Sequence, residues 1–112
     1  MNTVKISRKQ AQPILSQSFP DYTGRKITVR FTETVGFYNL NWDGGSKNEF
    51  VAIAADGRHE ELTVAAPWNE PREGRRVAIP QDVLIVEHTY FCGQDAGITI
   101  YAHPCHAPRW IA

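Results

Sequence analysis

The densest apolar pattern in the chain runs from residue 83 to residue 102, reading VLIVEHTYFC, then GQDAG, then ITIYA. Two β-branched and aromatic runs around a glycine-bearing connection predict a β-hairpin. Alternation along the first run puts Leu84, Val86, His88, Tyr90 and Cys92 on one face and Val83, Ile85, Glu87, Thr89 and Phe91 on the other. Both faces are apolar at the start, which predicts a strand inside a sheet rather than at its edge. Matching apolar to apolar sets Cys92 opposite Ile98, Tyr90 opposite Ile100 and His88 opposite Ala102, with His103 on the face away from His88. A slip of one residue would bring His88 opposite His103. It would also remove Ile98 and Ile100 from the face they share with Leu84 and Val86.

The remaining pattern is shorter in period and less continuous. Residues 3–6 read as an edge strand. Ser7 followed by Gln10 has the spacing of a capping box, and Ala11, Ile14, Leu15 and Phe19 form a stripe at helical spacing. This predicts a helix lying on the sheet, either kinked at Pro13 or regular only from it. Residues 26–32 alternate Ile27, Val29 and Phe31 against Lys26, Thr28, Arg30 and Thr32, a strand with one packed face. A further strand over 35–42 would set Tyr38, Leu40 and Trp42 on one face. The turn Asp43-Gly44-Gly45-Ser46 leads back through 50–55, Asp56-Gly57 turns again into 60–66, and 76–79 adds a last short strand. Read as sequential hairpins, the whole is mainly β, or α+β. The expected architecture is a small antiparallel barrel or strongly bent sheet of about six strands with one N-terminal helix packed on it.

Length and charge narrow the classes. The chain has 112 residues and 42% hydrophobic content, which suits one compact domain over residues 1–112 with one core. Twelve basic and twelve acidic side chains cancel, so no overall field draws the chain to nucleic acid or to an anionic membrane. The first nineteen residues have no uninterrupted apolar run, and no window approaches the length of a membrane span. The expectation is a cytoplasmic protein with reduced cysteines and no membrane partner.

Candidate chemistry concentrates at the C-terminal end. His88, His103, Cys105 and His106, with Cys92, are ligand types for zinc. However, His88 and Cys92 on one strand would stand about 13 Å apart, and the spacing matches no C-x-x-C template. Zinc therefore enters only as the alternative cofactor, and a zinc- or thiol-dependent enzyme centred on this cluster as the alternative function. A thiolate would need a histidine within hydrogen-bond reach, which the strand spacing denies to Cys92. The reading that fits best is a small non-catalytic binding module for a protein partner or for a second copy of itself. Its contact residues are Trp68, Arg72, Arg75 and Arg76 on the loop 67–76, with Trp42 and Trp110, because Trp and Arg dominate interfaces. A small-barrel nucleic-acid binder using Tyr22, Arg25, Lys26 and Arg30 is the third reading, and the zero net charge weighs against it.

Overall fold

The structure is a computed structural model and describes residues 2–38, 45–55 and 72–110. Its centre is β6, Val83–Phe91, whose first six residues are all buried. A run of that kind has to be covered on both faces. β6 pairs antiparallel with β7, Gln94–Ala102, on one side and with β4, Ser46–Ala54, on the other. β2, Ile27–Phe31, runs parallel to β7 and carries β1, Thr3–Lys5, antiparallel at the edge, so the sheet order is β1-β2-β7-β6-β4.

The first face of this sheet is apolar across four strands, with Ile53, Leu84, Val86, Ile98, Ile100, Ala102, Ile27, Val29 and Phe31 in one buried cluster. Helix α1, Arg8–Ser18, lies on it through Ala11, Ile14 and Leu15. Burial of the two larger side chains stabilises the docking by roughly 1.5–3 kcal/mol each. Ser7 caps the helix, its hydroxyl accepting from the Gln10 N–H while the Gln10 side chain accepts from the Ser7 N–H. Pro13 sits inside the helix on its exposed side, where the carbonyl it leaves unpaired is open to water. The C-terminal 3-10 turn Pro104–His106 and the short helix α2, Ala107–Trp110, complete this layer, with Trp110 buried in the same cluster.

The second face is covered by a separate antiparallel pair, β3 (Thr34–Gly36) and β5 (Arg76–Ala78). Val35, Phe37 and Ile79 pack there on Val83 and Ile85, and Phe37 meets Phe50 edge-on at 4.7 Å. Glu87 is buried on this face as well. Its carboxylate accepts from the Tyr101 hydroxyl at 2.5 Å and from the Asn48 amide.

The sequence expectation is corrected at three points. Pairing is not sequential: β2 joins the distant β7, and β4 joins β6. The chain leaves the main sheet at Thr32–Thr34, where the Thr32 hydroxyl donates to the Thr34 carbonyl, and β3 crosses to cover the second face. Consequently the sheet is mixed, and the described residues form no closed barrel. Third, in place of an even-numbered face over 35–42, Val35 and Phe37 are buried and Tyr38 is 53% exposed. Leu40, Trp42 and the strand expected over 60–66 lie outside the described residues.

The central hairpin keeps the expected faces but not the register. His88 pairs with Ile98 and Val86 with Ile100, four residues closer to the turn than apolar matching alone predicts. The connection is only Cys92-Gly93, with φ of 50° and 83°. Two positive φ values define the type I′ turn, whose twist matches that of the strands it joins. Glycine accepts this freely, whereas a side chain at Cys92 is strained by roughly 1–2 kcal/mol. Asparagine tolerates the same conformation better. Cys92→Asn is therefore expected to raise the stability by about 1 kcal/mol, seen as a rise in Tm of about 4 °C in a thermal melt. An unchanged or lower Tm would mean that the turn is held by something other than its backbone twist.

Candidate functional site

On the first face the apolar rows give way to polar ones toward the Cys92-Gly93 turn. The row Glu49, His88, Ile98 and Ile27 runs directly across β4, β6, β7 and β2. The next row is Lys47, Tyr90 and Asp95. Its last member depends on a β-bulge: the register of β6 against β7 shifts between Thr89 and Tyr90, so Tyr90 faces Asp95 rather than Ala96. An extra residue in one strand redirects the side chains beyond it. Here it turns the Asp95 carboxylate onto the face that carries His88.

Asp95 Oδ1 lies 2.7 Å from His88 Nε2. Its other oxygen, Oδ2, accepts from the Thr23 N–H at 2.8 Å and from the Thr23 hydroxyl at 2.9 Å. The Thr23 backbone donor, first among the causes, holds the Asp95 carboxyl below the ordinary carboxylate range. An ionised carboxylate only accepts, so Nε2 carries the proton of this short, charge-assisted bond. The opposite ring nitrogen, Nδ1, has no hydrogen-bond partner among the described residues. It faces Glu49 Oε2 at 3.6 Å, beyond a normal hydrogen bond. Glu49 is 43% exposed and receives Lys47 on its other oxygen at 2.8 Å, and this contact chiefly lowers its carboxyl.

The end of α1 supplies the walls. Phe19 closes the helix, its N–H returning to the Leu15 carbonyl, and Pro20 prevents continuation. The Phe19 ring lies 4.9 Å from the His88 ring, and Tyr22 meets His88 edge-on at 5.7 Å. Tyr22 is itself fixed: its hydroxyl donates to the Lys26 carbonyl at 2.8 Å. Burial, and then the nearby Asp95, push that hydroxyl up from the ordinary tyrosine range. Gly24 is required beneath it, because a Cβ there would stand 2.3 Å from the Tyr22 oxygen. Together Ser18, Phe19, Pro20, Asp21, Tyr22, Glu49, His88 and Asp95 line an open cleft of about 210 Å³. His88 forms its floor, only 8% exposed.

The residues singled out by sequence are distributed differently. His88 belongs to the cleft, but His103, Cys105 and His106 follow Ala102, at the other end of β7, so His103 lies roughly 16 Å along the strand from His88. His103 Nδ1 accepts from the Cys105 N–H, and His106 Nε2 donates to the Gln81 carbonyl. Cys92 and Cys105 are exposed free thiols at opposite ends of β7. Among the described residues no group of three or more His, Cys, Asp or Glu is placed to hold a metal ion. Trp110, expected at a contact surface, is instead 6% exposed in the core, with Arg109 over its ring at 4.9 Å. Arg72, Arg75 and Arg76 are exposed, whereas Trp42 and Trp68 lie outside the described residues. Tyr22 is buried against the first face, so it does not share a wet surface with Arg30, whose strand position points to the second.

Sequence reading missed Asp95, Glu49 and Phe19 as partners of His88, and Thr23 as the partner of Asp95. Only Asp95 had an available signal: a two-residue Cys-Gly turn would have placed it in the strand rather than in the loop.

The depressed Asp95 carboxyl fixes the sign of an acid effect. Its ionised form stabilises the fold fully above the unfolded value of about 3.9, and that contribution is lost as pH falls through the lower folded value. Asp95→Asn is expected to lower Tm at pH 7 and to flatten the fall in Tm below about pH 4, where Glu49 still titrates. An acid slope identical to that of the parent protein would contradict the assigned network.

Among the described residues no helix is long and apolar enough to cross a membrane. No family model matches the chain, and neither curated proteins nor solved structures show a significant match to it.

Proposed function

We propose that the chain acts, as a single domain, as a small non-catalytic binding module for a protein partner, and that the cleft at the end of α1 is its recognition site. One observation carries this reading: His88 is locked in the floor of an open cleft by Asp95 and by two aromatic rings, while the half-exposed Glu49 carboxylate stands at the mouth. A preset shape with a few fixed polar groups is what a recognition site needs. The same geometry is poor for catalysis. Nε2 is tied to Asp95 and Nδ1 is buried beside Glu49, so neither is presented to a substrate proton.

The exposed arginines Arg72, Arg75 and Arg76 supply a second contact surface in this reading. β5 covers the opposite face of the main sheet, so a partner held there leaves the cleft open. The zinc- or thiol-enzyme reading has less support, because His88 and Cys92 stand at the other end of β7 from His103, Cys105 and His106, and His103 and His106 are already bonded to backbone groups.

The test is an NMR titration of the folded protein with a panel of small fragments, cationic, anionic, neutral polar and aromatic. Saturable shifts confined to Phe19, Tyr22, Glu49 and His88 with at least one of these classes are expected. The absence of any saturable response at the cleft would overturn the reading.

A further inference from the structure

We infer that the cleft takes a guanidinium group, offered as an arginine side chain by the partner polypeptide. The inference rests on the cleft being a recognition site, and goes on to assign its chemistry.

Hydrogen-bond balance in the cleft favours a donor-rich group. Nε2 is committed to Asp95, while Nδ1 has no hydrogen-bond partner among the described residues and faces Glu49 Oε2 at 3.6 Å. That separation is too long for a hydrogen bond, and the Glu49 carboxylate beside it is an acceptor for a donor from outside. The nitrogen is almost fully buried and has no partner among the described residues, so the outer donor is met first by Glu49, which solvent reaches. A guanidinium has five donors in a planar fork and no acceptor, and it matches a carboxylate edge better than an ammonium does.

The walls suit a flat cation. Phe19 and Tyr22 flank the site, and Asp21 adds a carboxylate at the rim. A flat cation stacks on aromatic faces, and the partly buried Phe19 offers one, whereas the buried Tyr22 ring already has Arg8 over it at 5.6 Å. Lys47 does not fill this role. It sits on the outer oxygen, Glu49 Oε1, with its ammonium 5.9 Å from the Tyr90 ring.

The size suits a head group. About 210 Å³ is below the roughly 300 Å³ at which clefts begin to enclose whole small ligands. The cleft fits one side-chain head group whose remainder stays outside, as the side chain of a partner polypeptide would.

The experiment compares N-acetyl-arginine amide with its neutral isostere N-acetyl-citrulline amide and with N-acetyl-lysine amide, following the His88 ring protons and the Phe19 and Tyr22 signals at pH 7. The arginine compound is expected to give saturable shifts that weaken with added salt. The citrulline compound should bind at least about tenfold more weakly, and the lysine compound should fall between the two. Glu49→Gln should cut the preference for arginine over citrulline to about two- to threefold, the share left to the Asp21 carboxylate. Asp21→Asn, at an exposed rim position, should weaken arginine binding by about two- to threefold, a check that does not depend on the Glu49 variant. Equal binding of arginine and citrulline, or an arginine preference undiminished by Glu49→Gln in a folded protein, would overturn the inference. If the arginine compound is inert while an anionic or neutral fragment saturates the same signals, the guanidinium assignment fails and the recognition site stands. If nothing binds there, both fail.

Discussion

The structure depends on one constraint, the burial of β6 from both sides. Val83, Leu84, Ile85 and Val86 are all below 7% exposed, so a sheet with one wet face cannot accommodate them. One cover is α1 with α2, docked on Leu84 and Val86. The other is the β3–β5 pair, set on Val83 and Ile85. The chain pays for this arrangement in topology. β3 has to leave the main sheet immediately after β2, and the vacated side of β2 is filled by β7 in parallel.

The covers end before β6 does, and the cleft lies where they end. Beyond Val86 the first face passes from aliphatic side chains to His88, Glu49 and Asp95, while the last turn of α1 gives out into Phe19, Pro20 and Asp21. A charged group at that boundary keeps its hydrogen bonds only if the surrounding backbone delivers partners. Thr23 and the bulge in β7 deliver them for Asp95, and Asp95 delivers one for His88. On the second face, Glu87 is served in the same way by Tyr101 and Asn48, and burial together with that bond pushes the Tyr101 hydroxyl upward. The polar ends of the two faces are thus built from neighbouring positions of β6, one turned each way.

What the sequence made legible follows from the range of each interaction. The capping box at Ser7 and Gln10, the stripe on α1 and the alternation of β2 are local, and they appear in the structure at the expected residues. The two-sided pattern of residues 83–86 likewise marks an interior strand. Pairing partners were not legible, since Ile98 and Ile100 fit opposite Tyr90 and Cys92 as well as they fit opposite His88 and Val86 if side-chain polarity is the only guide. Backbone twist selected the shorter turn, through two positive φ values that a cysteine does not advertise. The site was hidden for the same reason: Asp95 reads as a loop residue until the bulge is known, and Glu49 meets His88 only through the pairing of β4 with β6. Arg72, Arg75 and Arg76 read as surface residues and are exposed, while Trp110 is apolar enough to serve either an interface or a core and is found in the core.

The parallel contact between β2 and β7 also governs when the sheet is completed. Ile27, Val29 and Phe31 reach their partners Ile98, Ile100 and Ala102 across most of the chain, so this pairing closes a very long loop. During synthesis the β1–α1–β2 segment emerges early with an apolar strand edge that stays unpaired until β7 follows. Its only local cover is the helix between its own two strands. Ser7 and Gln10, which start that helix, thereby help to shield the N-terminal third of the chain while it waits for its last strand.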